Sequence, residues 1–170
     1  MKTIKLLGVG RNVGWFNDSS TLVTSVGRII QIWNIEGEEL ERHQFYEINE
    51  LRRNPNTDHN LIAVGGMVTK NEYGGYVIDT QGSIIAETKP YFAWKPDGDY
   101  LAEYDRDGLS IYLSEFKKGE LQKRDKLDIK RSVNFADWGF DKDHLAIISE
   151  KDNKGYLIDI QEGKVKKVLV

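Results

Sequence analysis

The apolar positions of this chain come in short runs that never settle into helical spacing. No window of eleven or more residues keeps apolar side chains at i, i+3, i+4 and i+7, and Gly or Asp-Gly breaks the chain every 8 to 12 residues. The runs are rich in β-branched and aromatic residues, as in Arg28-Ile29-Ile30-Gln31-Ile32-Trp33, Gly75-Tyr76-Val77-Ile78, Leu109-Ser110-Ile111-Tyr112 and Gly155-Tyr156-Leu157-Ile158. This pattern predicts an all-β chain and disfavours helix bundles and α/β folds.

The runs also repeat. Trp15, Trp94 and Trp138 each stand three residues before an aspartate (Asp18, Asp97, Asp141) and seven before a leucine (Leu22, Leu101, Leu145). Asn54-Pro55-Asn56-Thr57-Asp58-His59-Asn60-Leu61 reads as a degenerate copy that keeps the turn formers and the leucine but not the tryptophan. The four leucines are 39, 40 and 44 residues apart. After each comes a short strand, a turn, one of the second strands above, another turn such as Glu36-Gly37 or Glu162-Gly163, and a charged outer strand. A fourth strand precedes each tryptophan, as in Tyr91-Phe92-Ala93-Trp94. The unit is thus four strands in about forty residues, with boundaries near 9–48, 49–88, 89–129 and 130–170 and an extra N-terminal strand at 3–7. Sheets this small cannot bury both faces alone, so neighbours must stack on them. The predicted fold class is a β-propeller of four four-stranded antiparallel blades.

Phe92-Ala93-Trp94-Lys95-Pro96-Asp97-Gly98-Asp99-Tyr100-Leu101-Ala102, followed by Asp105-Arg106-Asp107-Gly108-Leu109-Ser110-Ile111-Tyr112, resembles the repeat of TolB-type and related peptidase-associated β-propellers. Ile30-Gln31-Ile32-Trp33-Asn34-Ile35 is similar to the ending of a WD repeat, with Asn34 where that family's pair has Asp and no Gly-His pair in any blade. The resemblance covers nearly the whole chain and implies rings of six to eight blades, which four units do not supply. Two chains closing one eight-bladed ring as a homodimer is the leading expectation, because a lone half would expose the apolar faces of its terminal blades. A fragment of a longer propeller and a closed four-bladed ring are the alternatives.

Repeats leave few residues for chemistry. Each tryptophan reads as a wedge between sheets, and Asp18, Asp97 and Asp141 read as turn caps on backbone amides. The second unit is longer by six residues in the segment Gly65–Gly75, whose paired glycines look like hinges around an exposed tip carrying Tyr73; insertions in repeat proteins often mark a binding face, and the alternative is a simple extended hairpin. Arg11, Arg53 and Arg131 fall between outer and inner strands, where loops gathered near the axis would bind an anionic ligand or an acidic peptide through guanidinium forks. Lys117–Lys130 alternates charges as an outer strand that discourages edge aggregation.

Composition narrows function by exclusion. The 170 residues carry 30% charged and 39% hydrophobic side chains with a formal charge of −3, unlike a disordered tail or a strongly basic nucleic-acid binder. With no cysteine and three scattered histidines, no metal site, cofactor or cysteine nucleophile is expected. Gly8-Val9-Gly10-Arg11-Asn12-Val13 imitates a dinucleotide fingerprint, but Val13 takes the third glycine's place and no helix follows. No Gly-x-Ser-x-Gly elbow, phosphate-binding loop or His-Glu-x-x-His occurs, so no catalytic residue is named. The apolar stretch near the N-terminus is too short for a signal or a membrane span, which predicts a cytoplasmic protein with no membrane partner. The expected function is a non-catalytic scaffold for a protein or peptide. A propeller that binds an anionic sugar or nucleotide, or acts as a lyase, at its channel mouth is the alternative.

Overall fold

The computed structural model describes residues 10–105 and 108–169. It is all-β, with four four-stranded antiparallel sheets, each a meander in chain order. The first holds β1 (Gly10–Trp15), β2 (Thr21–Val26), β3 (Ile29–Asn34) and β4 (Glu39–Gln44). The second holds β5 (Glu47–Arg53), β6 (Ile62–Thr69), β7 (Glu72–Ile78) and β8 (Ile84–Thr88). In the third are β9 (Tyr91–Trp94), β10 (Tyr100–Tyr104), β11 (Gly108–Lys117) and β12 (Glu120–Val133), and in the fourth β13 (Phe135–Trp138), β14 (His144–Ser149), β15 (Lys154–Asp159) and β16 (Lys164–Leu169). The strand expected at 3–7 lies outside the described residues. The chain forms two compact units, Met1–Pro90 and Tyr91–Val170, of two sheets each.

The turns follow from local chemistry. Asp18 Oδ1 accepts the N–H groups of Ser20 and Thr21, Asp97 Oδ1 accepts that of Asp99, and Asp141 Oδ1 accepts those of Asp143 and His144, which makes the repeated aspartates turn caps as expected. Lys118 and Gly119 both take positive φ (54° and 83°) in the two-residue turn between β11 and β12, the geometry that matches strand twist in a tight hairpin.

Register corrects the repeat. The first turn of each sheet is closed by one backbone hydrogen bond: Phe16 N–H to Thr21 O, Lys95 N–H to Tyr100 O, Gly139 N–H to His144 O, and, in the second sheet, Asn54 N–H to Leu61 O. Ile62, not Leu61, therefore stands where the other sheets have their leucine, and Arg53 stands where they have tryptophan. The turn of the second sheet is two residues longer, which moves each flank by one position. Hairpin lengths differ as well, since Leu101 pairs with Ser114, thirteen residues on, whereas Leu22 pairs with Trp33, eleven residues on.

The Gly65–Gly75 segment takes the simpler of its two expected forms. It is an extended hairpin in which Gly65 faces Gly75 and Gly66 faces Gly74, closed by a turn at Lys70 and Asn71. The glycines serve close approach: a Cβ on Gly66 would stand 2.0 Å from the Glu47 carbonyl oxygen, and one on Gly75 would stand 2.5 Å from that of Val64.

Each unit has its own core. In the first, Phe16, Val23, Ile30 and Ile32 of the first sheet pack on Ile62, Val64 and Ile78 of the second. Gly14 lets β1 and β5 approach, a Cβ there falling 2.9 Å from Leu51. In the second unit, Ala102, Tyr104, Ile111 and Leu113 of the third sheet pack on Leu145, Ile147, Tyr156 and Ile158 of the fourth. The Trp138 indole N–H donates to Ala93 O and the Ala136 N–H donates to the Tyr104 hydroxyl oxygen, both at 3.0 Å, so an inner strand docks on its predecessor by hydrogen bonds as well as packing. Trp94 is buried and Trp138 half-buried, in line with wedging, but Trp15 is 46% exposed because nothing among the described residues covers its face of β1.

Candidate functional site

The arginines proposed to converge occupy unlike places. Arg11 is the second residue of β1, and its side chain lies outside the described residues. Arg53 ends β5. Gly14 lies beside Leu51, and the Asn17 amide donates to Asn54 O and Asn56 O, so β1 and β5 run parallel. Arg11 and Arg53 thus stand at opposite ends of neighbouring strands rather than in one loop cluster. Arg131 belongs to the other unit and lies within β12, which runs on to Val133 where a connecting loop was expected. Its guanidinium is 4.0 Å from Asp152 Oδ2 and 5.8 Å above the Tyr156 ring. The Tyr156 hydroxyl donates to Asp152, which lowers that carboxyl and raises the phenol. Tyr73 is 55% exposed beside the hairpin end.

A cleft of about 470 Å³ opens in the second unit, between its two sheets. Leu113 and Leu127 form an apolar floor, Tyr100 and Trp138 supply aromatic walls, and Lys95, Lys126 and Lys142 alternate with Asp125, Asp143 and Glu162 around the rim. The walls come from the repeated turns after β9 and β13, and one side is β12, the outermost strand of its sheet. Lys95 Nζ lies 4.8 Å from the Tyr100 ring centroid and 6.0 Å from that of Trp138. Its charge is anchored by Asp97 Oδ2 at 3.4 Å, which Lys142 Nζ also approaches to 3.6 Å. Burial pushes the Asp97 carboxyl up, but the Asp99 N–H and the two ammonium groups outweigh it and hold it below the ordinary carboxylate range. The Trp138 N–H is spent on Ala93, leaving the ring as a stacking surface.

Sequence reasoning missed this cleft because it read Trp94, Trp138 and their aspartates as structural. A usable signal was present: the tryptophan turns of two successive repeats both carry a lysine, Lys95 and Lys142.

Among the described residues no group of three or more His, Asp or Glu is placed to hold a metal ion, and no helix is long and apolar enough to cross a membrane. No protein-family model matches the chain, and no curated protein matches it in sequence. Solved structures do match in fold. Kluyvelomyces marxianus Hsv2 aligns over 92% of this chain and 49% of its own with a TM-score of 0.65 at 16% identity. KlHsv2 with loop 6CD replaced by a Gly-Ser linker aligns over 95% and 54% with a TM-score of 0.66 at 16% identity. Dihydro-heme d1 dehydrogenase NirN in complex with DHE aligns over 93% and 36% with a TM-score of 0.75 at 10% identity. These are β-propeller proteins, and the four four-stranded antiparallel sheets fit propeller blades. The chain spans about half of the Hsv2 chains and about a third of NirN.

Proposed function

We propose that this chain is a non-catalytic scaffold that binds a protein or peptide in the cleft of its second unit. The observation that carries the reading is the cleft's composition: an apolar floor, two aromatic walls and charges of both signs, beside a sheet edge to which an extended segment can add. An anionic sugar would be met by as many carboxylates as lysines. Amine cross-linking of the chain in lysate, followed by mass spectrometry, tests this. A partner cross-linked at Lys126 or Lys142 and lost in the Asp125→Arg/Glu162→Arg variant, which keeps both lysines, supports the cleft. Partners cross-linked only elsewhere count against it.

The scaffold is further proposed to work as a homodimer, two four-sheet chains making up an eight-bladed ring. Support comes from coverage of about half of each Hsv2 chain and from apolar surface left on the first and fourth sheets. Light scattering that gives a mass near 19.5 kDa at micromolar concentration would exclude the dimer.

A further inference from the structure

The face of the fourth sheet that points away from the third is uncovered among the described residues and carries apolar side chains interrupted by Asp137 and Lys167, which pair in line with Ala146 and Leu157. Phe135 is 58% exposed, Ile148 52% and Leu169 42%, and Ala146 and Leu157 share their face by strand pairing. The matching positions of the third sheet include Ala93, Ala102, Tyr104 and Leu113, which receive the fourth sheet. On the first sheet, Val13 and Trp15 are 70% and 46% exposed, and they hold the positions of Ala136 and Trp138, the residues that dock β13 onto the third sheet.

We propose that a second copy of this chain seats its β1 on β13 and β14, in the register by which β13 seats on β9 and β10. The partner's Trp15 indole N–H then donates to the Asp137 carbonyl, as that of Trp138 does to Ala93, and the partner's Val13 covers Ile148, which replaces Tyr104. Charge agrees with this register. Within the second unit β16 lies beside β12. The same arrangement brings the partner's β4 and its approach, with Glu38, Glu39 and Glu41, beside β16 with Lys164, Lys166 and Lys167. Two copies also supply the length of an Hsv2 chain, of which one covers 49%. The inference rests on the dimer reading and deepens it by assigning the faces; the cleft reading is independent of both.

The chain has no cysteine, so site-directed cross-linking is clean. A mixture of Val13→Cys and Ile148→Cys chains treated with a short bis-maleimide is expected to give a covalent dimer, and either variant alone is expected to give none. In parallel, Ile148→Glu, at an exposed position, is expected to weaken dimerisation about tenfold or more by light scattering while leaving the β-sheet circular dichroism unchanged. A dimeric mass without the mixed cross-link would overturn the assigned faces and leave the dimer. A monomeric mass would overturn both. Mixed cross-links in species larger than a dimer would support the faces and overturn dimeric closure.

Discussion

β10 and β14 hold the same place in successive repeats, yet they are buried differently. In β10 every residue from Leu101 to Tyr104 is buried, whereas in β14 burial alternates, with Leu145, Ile147 and Ser149 buried and Ala146 and Ile148 exposed. The face that both share, marked by Leu101 and Leu145, is closed in each. The opposite face is covered by the fourth sheet in one case and bare in the other. A half-buried strand facing water should carry polar residues on its wet side, but β14 carries Ala146 and Ile148 there. The sequence of β14 is written for a strand covered on both faces.

The contrast can be broken by matched substitutions, read by urea unfolding. Tyr104→Ala removes a buried ring and the acceptor of the Ala136 N–H, and is expected to cost about 4 kcal/mol, against under about 1 kcal/mol for Ile148→Ala at the matching position. Equal losses would mean that the bare face of β14 is covered in solution. Gly66→Ala drives a methyl group into the Glu47 carbonyl and is expected to cost about 3 kcal/mol, whereas Gly155→Ala, whose new methyl meets the Leu169 side chain at 3.3 Å and the Ile147 carbonyl oxygen at an ordinary 3.7 Å, is expected to cost under about 1 kcal/mol. Trp138→Phe deletes the hydrogen bond to Ala93 O and is expected to cost about 1 kcal/mol, while Trp15→Phe, at a half-exposed ring, is expected to cost less.

The smallest expected effect concerns pH. His144 donates Nδ1–H to Asp141 Oδ2 at 2.7 Å and accepts from Lys166 at Nε2, and this hydrogen bond holds the Asp141 carboxyl below the ordinary range. A carboxyl lowered by folding stabilises the fold above its unfolded value and loses that contribution as pH falls through the folded one. Asp141→Asn is therefore expected to narrow the drop in Tm between neutral pH and pH values below the ordinary carboxylate range. An unchanged drop would mean that the bond adds nothing to stability.

The strands and their grouping in fours were legible in the sequence, because period-two runs and turn residues depend on neighbours close in the chain. Aspartate caps were legible for the same reason. Register in the second sheet was not, since a turn two residues longer shifts the anchor from Leu61 to Ile62 without changing the look of the pattern. The role of Gly66 was also hidden: a hinge and a point of close approach are written with the same residue, and only the position of Glu47 separates them. The position of Arg53 relative to Arg11 was not legible, because it needs distances between strands. The cleft was hidden because Lys95 and Lys142 meet through Asp97 across two sheets, a relation that spacing alone does not encode.

The glycine pairs of the second hairpin also bear on how the chain can drift through evolution. Exposed positions of the outer strands meet few neighbours and tolerate replacement. Gly66 and Gly75 have no such latitude, since any side chain there meets a backbone oxygen that the ladder has fixed in place. Lineages of this protein would therefore vary at those exposed positions before losing these two glycines, and a search for distant kin is better anchored on the silent residues than on the conspicuous charges.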